Sequence, residues 1–289
     1  MPFTLSHVAA VIPLIHSARV RKVLDPWAVG VGAMVPDLPM FLPYLEDYSR
    51  WHSPLGIVTD DVAAVFVLLA LLQFVFRDPL TALLPGPLAA WAAALPGPAW
   101  RRFPTIALGA AVGAATHVFW DSFTHDWGAA FWGWAWLTEP VFGWVNGYRL
   151  LQYVSSAAGL AVVAWWLARA LRASTRPPTS STSSTPAPSP PSGPSAPISA
   201  AFSRLAVAAD VASHPALPVR VRWGVLAATG VGACVSAGLW TLVDPPNPVY
   251  GWAGIITKTG VGLVVGLCAV LTLYVLSWQL ARVIRLSRA

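Results

Sequence analysis

The sequence has few charged residues and few cysteines for its length. Only 10% of its 289 residues are Asp, Glu, Lys or Arg, whereas 56% are hydrophobic and the mean hydropathy is +0.61. A soluble globular domain usually has about 25% charged residues, so this composition excludes that class and predicts an integral membrane protein. Its apolar segments are long and continuous, which predicts an all-α polytopic helical membrane bundle and not a barrel.

The scarce cysteines and charges also limit the functional classes. Cys234 and Cys268 both lie within apolar segments, where we expect small buried thiols and neither a disulfide nor a metal site. The N-terminus lacks the basic start and cleavage site of a signal peptide, so we expect it to remain in the mature protein. The net charge is +6, but the arginines lie singly or in pairs beside apolar segments. That placement favours contact with membrane lipid over nucleic-acid binding.

Seven segments are candidate membrane helices, because each is apolar and most approach the roughly 20 residues that a span needs. They are residues 3–20, 27–42, 60–76, 104–120, 148–171, 222–243 and 252–281. Pro36 and Pro39 interrupt the second segment. Residues 79–100 are apolar but contain four prolines, so they predict an interfacial or re-entrant segment.

A tract rich in Pro, Ser and Thr divides the chain. Residues 173–200 have almost no apolar side chains to bury, which predicts a disordered linker. Residues 1–172 are then a membrane bundle, and residues 201–289 are an amphipathic segment followed by a two-helix membrane hairpin. Lys and Arg favour the cytoplasmic side of short loops, and their distribution predicts a multi-pass protein of the cell membrane with its N-terminus outside and its C-terminus inside.

This topology predicts that six ionisable side chains lie at the outer leaflet, at helix ends or, for His52, in an outer loop. They are His7, Asp37, His52, His117, Asp121 and His125. Ionisable groups at membrane depth are costly and usually face a bundle interior or a wet cavity, so their common depth predicts a site. His117 and Asp121 are four residues apart and therefore share one face of a helix. Imidazole and carboxylate groups are typical ligands of zinc and other divalent metals.

Each candidate ligand also has a structural interpretation. An isolated histidine in a membrane helix, such as His117, is more often a hydrogen-bonded core residue. Pro36 either opens the helix beside a ligand, Asp37, or ends the helix so that Asp37 is a cap or a solvated residue. His52 is either a ligand from an outer loop or an interfacial residue, and His7 has the same two alternatives.

Two further residues are candidates for catalysis. His125 lies near the predicted end of the fourth helix and is either an additional ligand, a proton shuttle or an interfacial residue. Glu139 lies among the tryptophans that are dense from Trp127 to Trp144, a pattern typical of an outer interfacial belt. Glu139 is either a base or ligand carried by this belt, or a solvated loop residue.

Six blocks of sequence carry a resemblance to a known family. They are MPFTLSH, GAMVPDLPMFL, HSPLG, RDPLTALLP, GAATHVFWDSFTH and YRLLQYVSSAAGL. Over roughly the first 160 residues they resemble an uncharacterised family of bacterial membrane proteins that begins MPFTxSH, domain of unknown function family 4184. They are also distantly similar to membrane-bound metal-dependent hydrolases. That resemblance implies that the metal ligands are His7, Asp37, His52, His117 and Asp121.

The similarity to the hydrolases has two departures. Ser6 precedes His7 where the hydrolases have Thr, and Ser53 follows His52 where many have Arg. These differences keep the ligand types and change the expected substrate contacts.

The leading hypothesis is therefore a membrane-embedded metal-dependent hydrolase. A divalent ion, with zinc as first candidate, would activate water at the outer membrane boundary against a phosphoester or other ester of a lipid or lipid-linked substrate. Five or six ligands exceed the three of a typical mononuclear catalytic zinc, so a two-metal site is an alternative. The competing hypothesis is a non-enzymatic protein, either a transporter with a His/Asp proton or metal relay or a structural assembly factor. A relay would stagger its groups through the membrane, whereas these groups share one depth.

Overall fold

The computed structural model describes residues 3–42, 44–45, 47–174, 217–248 and 251–287. Most of the predicted linker and the amphipathic segment that follows it lie outside these residues. The described chain is almost entirely helical, which confirms the all-α prediction. Its only β-structure is a short antiparallel hairpin of β1 (Pro140–Val141) and β2 (Val145–Asn146).

The described part of the chain contains helices of very unequal length. In chain order they are α1 (Val8–His16), α2 (Pro26–Gly32), α3 (Leu38–Phe41), α4 (Tyr48–Trp51), α5 (Pro54–Val58), α6 (Asp60–Leu71), α7 (Arg77–Leu83), α8 (Gly86–Ala94), α9 (Phe103–Thr124), α10 (Asp126–Trp132), α11 (Ala135–Thr138), α12 (Gly147–Ser174), α13 (Val219–Val243) and α14 (Gly251–Leu286). Short 3-10 turns cover Thr4–His7, Val20–Lys22, Val35–Asp37 and Trp100–Arg102, and a π-helix covers Leu72–Phe76.

Five helical segments of the described residues are long and apolar enough to cross a membrane. They are Pro54–Leu83, Trp100–Thr124, Gly147–Arg172, Val219–Val243 and Gly254–Leu286. They correspond to five of the seven predicted spans and indicate a membrane protein. Many large apolar side chains on them are exposed, as expected where lipid and not protein surrounds a helix.

The other two predicted spans are short helices, so seven spans are not confirmed. The apolar stretch Thr4–His16 is helical but short. At about 1.5 Å per residue it covers roughly 20 Å, less than the hydrocarbon thickness of about 30 Å. Residues 27–42 are divided into α2, a 3-10 turn and α3, because Pro36 and Pro39 lack the N–H that a continuous helix needs. The predicted orientation of the chain stays a prediction.

The first compact unit comprises the described residues of Met1–Pro36, Trp51–Leu69 and Ala90–Ser213. Its centre is the packing of α2 on α9, where the two backbones approach closely. A Cβ atom on Gly113 would lie 2.4 Å from the carbonyl oxygen of Val29, and one on Gly32 would lie 2.5 Å from that of Ala110. Glycine at both positions therefore permits backbone contact between these helices, as small residues do in membrane bundles.

The start of α2 is fixed by a buried carboxylate. Asp25 is only 2% exposed and accepts hydrogen bonds from the backbone N–H groups of Trp27 and Ala28, at 3.0 and 3.1 Å, and of Ala99, at 2.9 Å. Its own N–H donates to the carbonyl of Thr105 at the start of α9. Asp25 is therefore an N-cap of α2 that also ties the starts of α2 and α9 together.

The second compact unit comprises the described residues of Asp37–Arg50, Ala70–Ala89 and His214–Ala289. Helices α13 and α14 pack through small residues, since a Cβ atom on Gly266 would lie 2.5 Å from the carbonyl oxygen of Gly232. Cys234 and Cys268 are free and exposed on these helices. The expectation of buried thiols is wrong, because glycine, alanine and serine, and not cysteine, occupy the contact face.

Within the second unit, α14 makes polar contacts with residues 75–79. Pro79 has no N–H to donate to the carbonyl of Val75, four residues earlier, and the side chain of Gln279 donates to that oxygen at 2.7 Å. The hydroxyl of Tyr274 donates to the carbonyl of Pro79 at 2.9 Å. The C-terminal helix thus supplies side-chain donors to the carbonyls of Val75 and Pro79, and the first of these loses its helical donor to the proline.

Candidate metal centre

Helix α9 presents His117 and Asp121 on one buried face. The two side chains are at most 1% exposed, and His117 Nε2 lies 3.4 Å from Asp121 Oδ2. His117 Nδ1 lies 2.9 Å from the carbonyl oxygen of Ala33. A carbonyl only accepts, so Nδ1 carries the hydrogen and Nε2 keeps its lone pair directed toward Asp121. This bond fixes the tautomer and orientation that a metal-ligating histidine needs.

His52 is contributed by the connection between α4 and α5. Ser53 is the N-cap of α5, because its Oγ accepts a hydrogen bond from the N–H of Gly56 at 3.0 Å, and Pro54 begins the helix. His52 Nε2 lies 3.7 Å from Asp121 Oδ2, and its side chain is 6% exposed. The HSPLG block therefore places an imidazole at a fixed point just before a helix start.

His7 ends the 3-10 turn at the start of the described chain. Helix α12 holds this turn, since the N–H of Phe3 donates to Ser156 Oγ at 3.0 Å. A Cβ atom on Gly159 would lie 2.8 Å from the carbonyl oxygen of Ser6, so the turn rests directly on the α12 backbone. His7 Nε2 lies 3.4 Å from Asp121 Oδ1.

The imidazole rings also contact one another. The rings of His7 and His117 are stacked with centroids 3.8 Å apart, and His52 meets His117 edge to face at 5.5 Å. The three histidines come from three separate segments of the chain and converge on one carboxylate.

His125 directly follows α9 and differs from the other three histidines. Its Nδ1 lies 3.0 Å from the backbone carbonyl of Asp121 and 3.6 Å from Asp121 Oδ2. Because the carbonyl only accepts, Nδ1 carries the hydrogen in the neutral ring. The ring therefore presents an N–H, and not a lone pair, toward Asp121. Its side chain is 15% exposed, more than those of the other three histidines.

Asp121 is the centre of this group, which we call the Asp121 cluster: His7, His52, His117, Asp121 and His125. Its Oδ2 is buried and accepts no hydrogen bond from the residues that the structure describes. A buried carboxylate oxygen in that state costs several kcal/mol unless a cation compensates its charge. Asp121 thus differs from a carboxylate that only holds helices together.

The distances in the cluster fit a metal ion. The ligand atoms of His52, His117 and Asp121 all lie within 4.8 Å of one another. A tetrahedral zinc ion with bonds of about 2.0–2.1 Å holds its ligand atoms roughly 3.3–3.4 Å apart. The separations of 3.7 and 3.4 Å from Oδ2 to the Nε2 atoms of His52 and His117 resemble that value and exceed the usual N–H···O distance of about 2.7–3.2 Å. This buried Asp/His group could hold a metal ion.

The two other predicted site residues are Asp37 and Glu139. Asp37 directly follows Pro36, is fully buried, and accepts a hydrogen bond from the hydroxyl of Tyr48 at 3.2 Å within the second unit. Glu139 follows α11 and is exposed, and its carboxylate forms no hydrogen bond or ion pair with the described residues. A catalytic role for Glu139 stays a prediction from the sequence.

Sequence reasoning missed Asp61. Asp60 and Asp61 begin the predicted membrane segment 60–76, and they form the first turn of α6. Asp61 is fully buried, and neither of its carboxylate oxygens accepts a hydrogen bond from the described residues. Adjacent residues of a helix point about 100° apart, so of two neighbouring carboxylates at a helix start one can face inward. That pair was the only signal available in the sequence.

Comparison with known proteins gives a family and no nearer relative. Neither a search of curated proteins nor a search of solved structures found a match. A family model described as a domain of unknown function, DUF4184, matches residues 1–276. This range includes all six blocks that suggested the resemblance and extends through most of α14. The chain belongs to the DUF4184 family.

Proposed function

We propose that this protein is a membrane-embedded metal-dependent hydrolase with a divalent ion, zinc as first candidate, bound by His7, Asp37, His52, His117 and Asp121. The observation that carries the proposal is the Asp121 carboxylate. It is buried, its Oδ2 accepts no hydrogen bond from the described residues, and imidazole nitrogens from several chain segments surround it at 3.4–3.7 Å. Asp37 enters the ligand set from the sequence and from its complete burial.

The donor chemistry supports a borderline divalent metal. Imidazole nitrogen and carboxylate oxygen suit zinc and neighbouring first-row ions, and the cluster contains no thiolate or thioether. The carbonyl of Ala33 supports one ligand from outside the cluster, since it holds His117 with Nε2 directed inward. Such outer contacts commonly raise metal affinity by about 10–100-fold.

Hydrolysis is the reaction class that these groups serve best. A divalent ion bound here would supply a Lewis acid and lower the pKa of a bound water. His125 donates through Nδ1 to the backbone of Asp121 and keeps a basic Nε2, while its side chain is partly exposed. His125 can therefore hold a proton and pass it between the cluster and solvent. The cluster lies near the end of a candidate span, which favours an ester of a lipid or lipid-linked substrate.

Metal content tests the first half of this proposal. The protein should be purified in detergent without chelator, and its divalent metals measured by mass spectrometry. We expect stoichiometric metal in the native protein and less than about a tenth of it in His117→Ala, because an imidazole ligand is lost. His16→Ala is the matched control, since His16 lies on α1 and accepts a hydrogen bond from Trp166. Metal-free native protein, or full metal in His117→Ala, contradicts the proposal.

Turnover tests the second half. Metal-loaded protein in micelles should hydrolyse at least one of three chromogenic probes: an aryl phosphate monoester, an aryl phosphate diester or a short-chain aryl ester. The rate should fall by at least about 100-fold in His117→Ala and stay unchanged in His16→Ala. Bound metal without hydrolysis of any probe, together with metal uptake into proteoliposomes, would replace the hydrolase with a transporter.

A further inference from the structure

The two ends of the α13–α14 hairpin differ in charge. Residues 217–289 contain a single acidic residue, Asp244, which directly follows α13 and forms an ion pair with Lys258 of α14. The charges at the turn end of the hairpin are therefore balanced. Four arginines lie near the start of α13 and the end of α14: Arg220, Arg222, Arg282 and Arg285.

The packing of the two helices brings these arginines to one end of the hairpin. A Cβ atom on Gly266 would lie 2.5 Å from the carbonyl oxygen of Gly232. A Cβ atom on Gly262, one turn earlier, would lie 2.7 Å from the carbonyl oxygen of Ser236, one turn later. The helices are therefore antiparallel, and the start of α13 lies beside the last turns of α14.

The arginines keep a net positive charge at this end, which we call the arginine patch: Arg220, Arg222, Arg282 and Arg285. Asp78 offsets one of these charges, because its Oδ2 lies 3.8 Å from Arg282 Nη1. Both of these side chains are at least half exposed, so water screens their attraction. The other three arginines form no ion pair with the part of the chain that the structure describes.

Exposed apolar side chains alternate with the arginines on both helices. They are Val219, Val221 and Trp223 on α13 and Leu280, Val283 and Leu286 on α14. Both helices are long and apolar enough to cross a membrane, so this end of the hairpin lies near a membrane surface. A phospholipid fits such a surface, because its phosphate pairs with guanidinium groups while its acyl chains cover apolar side chains. A free anion or a nucleic acid would leave the apolar side chains uncovered.

We propose that the arginine patch binds the headgroup of an anionic phospholipid, with its acyl chains along the exposed apolar side chains of α13 and α14. The net charge of the patch favours phosphatidylglycerol over phosphatidylcholine, because the choline group cancels the charge of the phosphate. This inference is independent of the proposed hydrolysis, since no residue of the patch belongs to the Asp121 cluster.

Lipid binding to delipidated protein tests this inference. The protein is purified in nonionic detergent with a chelator, so that a metal centre makes no contribution, and bound lipid is measured by native mass spectrometry. We expect dioleoylphosphatidylglycerol to bind at least about 10-fold more tightly than dioleoylphosphatidylcholine. In the double variant Arg220→Gln/Arg222→Gln this preference should fall below about 3-fold, because half of the patch charge is lost.

The matched control is Arg169→Gln/Arg172→Gln, which removes two charges near the end of α12 and should keep the native preference. Equal affinity of the native protein for the two lipids would overturn the inference, and so would an equal loss of preference in both double variants.

A milder variant covers the case in which Arg220→Gln/Arg222→Gln does not fold. Arg285→Gln changes one exposed side chain in the last turn of α14 and should weaken phosphatidylglycerol binding by about 3–10-fold, with unchanged phosphatidylcholine binding. Native affinity in this variant would contradict the patch. Inorganic phosphate at about 10 mM should not displace phosphatidylglycerol, because it has no acyl chains. Displacement would replace the lipid site with a site for free anions.

Discussion

Asp25 and Asp121 are both buried carboxylates of the first unit, but their surroundings are opposite. Asp25 accepts three backbone N–H groups at 2.9–3.1 Å. Asp121 Oδ2 has imidazole nitrogens at 3.4–3.7 Å and accepts no hydrogen bond from the described residues. The first is the arrangement of a helix cap, and the second is the arrangement that the proposed metal site requires. Burial alone therefore does not distinguish a structural carboxylate from a functional one, whereas the distance to its partners does.

The longer distances around Asp121 are maintained by contacts outside the cluster. Ala33 holds His117, the Ser53 cap fixes the chain beside His52, and Ser156 holds the turn that carries His7. Because each imidazole is positioned independently, the rings do not close onto Asp121 to form ordinary hydrogen bonds. A buried Asp/His group positioned in this way could hold a metal ion.

Replacing Asp121 should have the largest effect on bound metal, and it tests the contrast between Asp121 and Asp25. In Asp121→Asn we expect metal content below about a tenth of the native value, because the charged ligand at the centre of the cluster is lost. Native protein should also be destabilised when a chelator is added, by about 2.7 kcal/mol if the metal was present at 100 times its Kd. Thermal unfolding with and without chelator measures this difference. An Asp121→Asn protein that keeps its metal, or that still responds to chelator, would remove the contrast with Asp25.

Gly113→Ala should disturb the cluster from a distance. The added methyl group would lie 2.4 Å from the carbonyl oxygen of Val29, so α2 must move away from α9. The Ala33 carbonyl, which directly follows α2, would then move away from His117 Nδ1 and weaken their hydrogen bond. We expect a loss of about 1–3 kcal/mol in stability and about 10–100-fold in metal affinity. Unfolding curves and competitive metal titration measure the two effects.

Gly230→Ala is the control for Gly113→Ala, since a Cβ atom there meets nothing within 4 Å. Its stability should change by less than about 1 kcal/mol, with native metal affinity. If Gly113→Ala behaved like this control, the close packing of α2 on α9 would not support the site.

Asp25→Ala should show the reverse pattern from Asp121→Asn. It leaves buried N–H groups, including that of Ala99, without their acceptor, which costs about 1–3 kcal/mol. Metal content should stay at the native level because Asp25 has no part in the cluster. Parallel unfolding and metal measurements on the two variants check the pattern, and loss of metal in folded Asp25→Ala would refute the assignment of Asp25 as purely structural.

Gln279→Ala should have the smallest effect. It removes the donor to the Val75 carbonyl, and hydrogen bonds between membrane helices contribute about 0.6 kcal/mol on average. We expect a loss of that order in unfolding experiments and no change in bound metal. A large loss of metal would contradict the assignment of Gln279 to helix packing alone.

The sequence predicted the parts of this molecule that local patterns determine. Long apolar segments identified the five helices that could cross a membrane. The spacing of His117 and Asp121 correctly placed them on one face of α9, and the outer-end topology grouped them with His7 and His52. Both signals are short-range, because hydropathy and helical periodicity act within one element.

The parts that failed depend on long-range packing. Which of Asp60 and Asp61 faces inward is decided by the rotation of α6 against its neighbours, and the sequence contains no measure of that rotation. The contact of Gln279 with Val75 joins residues 204 positions apart. Apolar composition also overstated the helix length of residues 3–20 and 27–42, since it does not reveal that each stretch forms only short helices.

The most direct test of the central claim is the X-ray absorption spectrum of zinc bound to the purified protein. We predict a first shell of nitrogen and oxygen only, at about 2.0–2.1 Å, with the outer-shell scattering of imidazole rings. That scattering should disappear with the bound zinc in Asp121→Asn. A sulfur shell at about 2.3 Å, or a first shell without imidazole, would contradict the assignment of the ion to the Asp121 cluster.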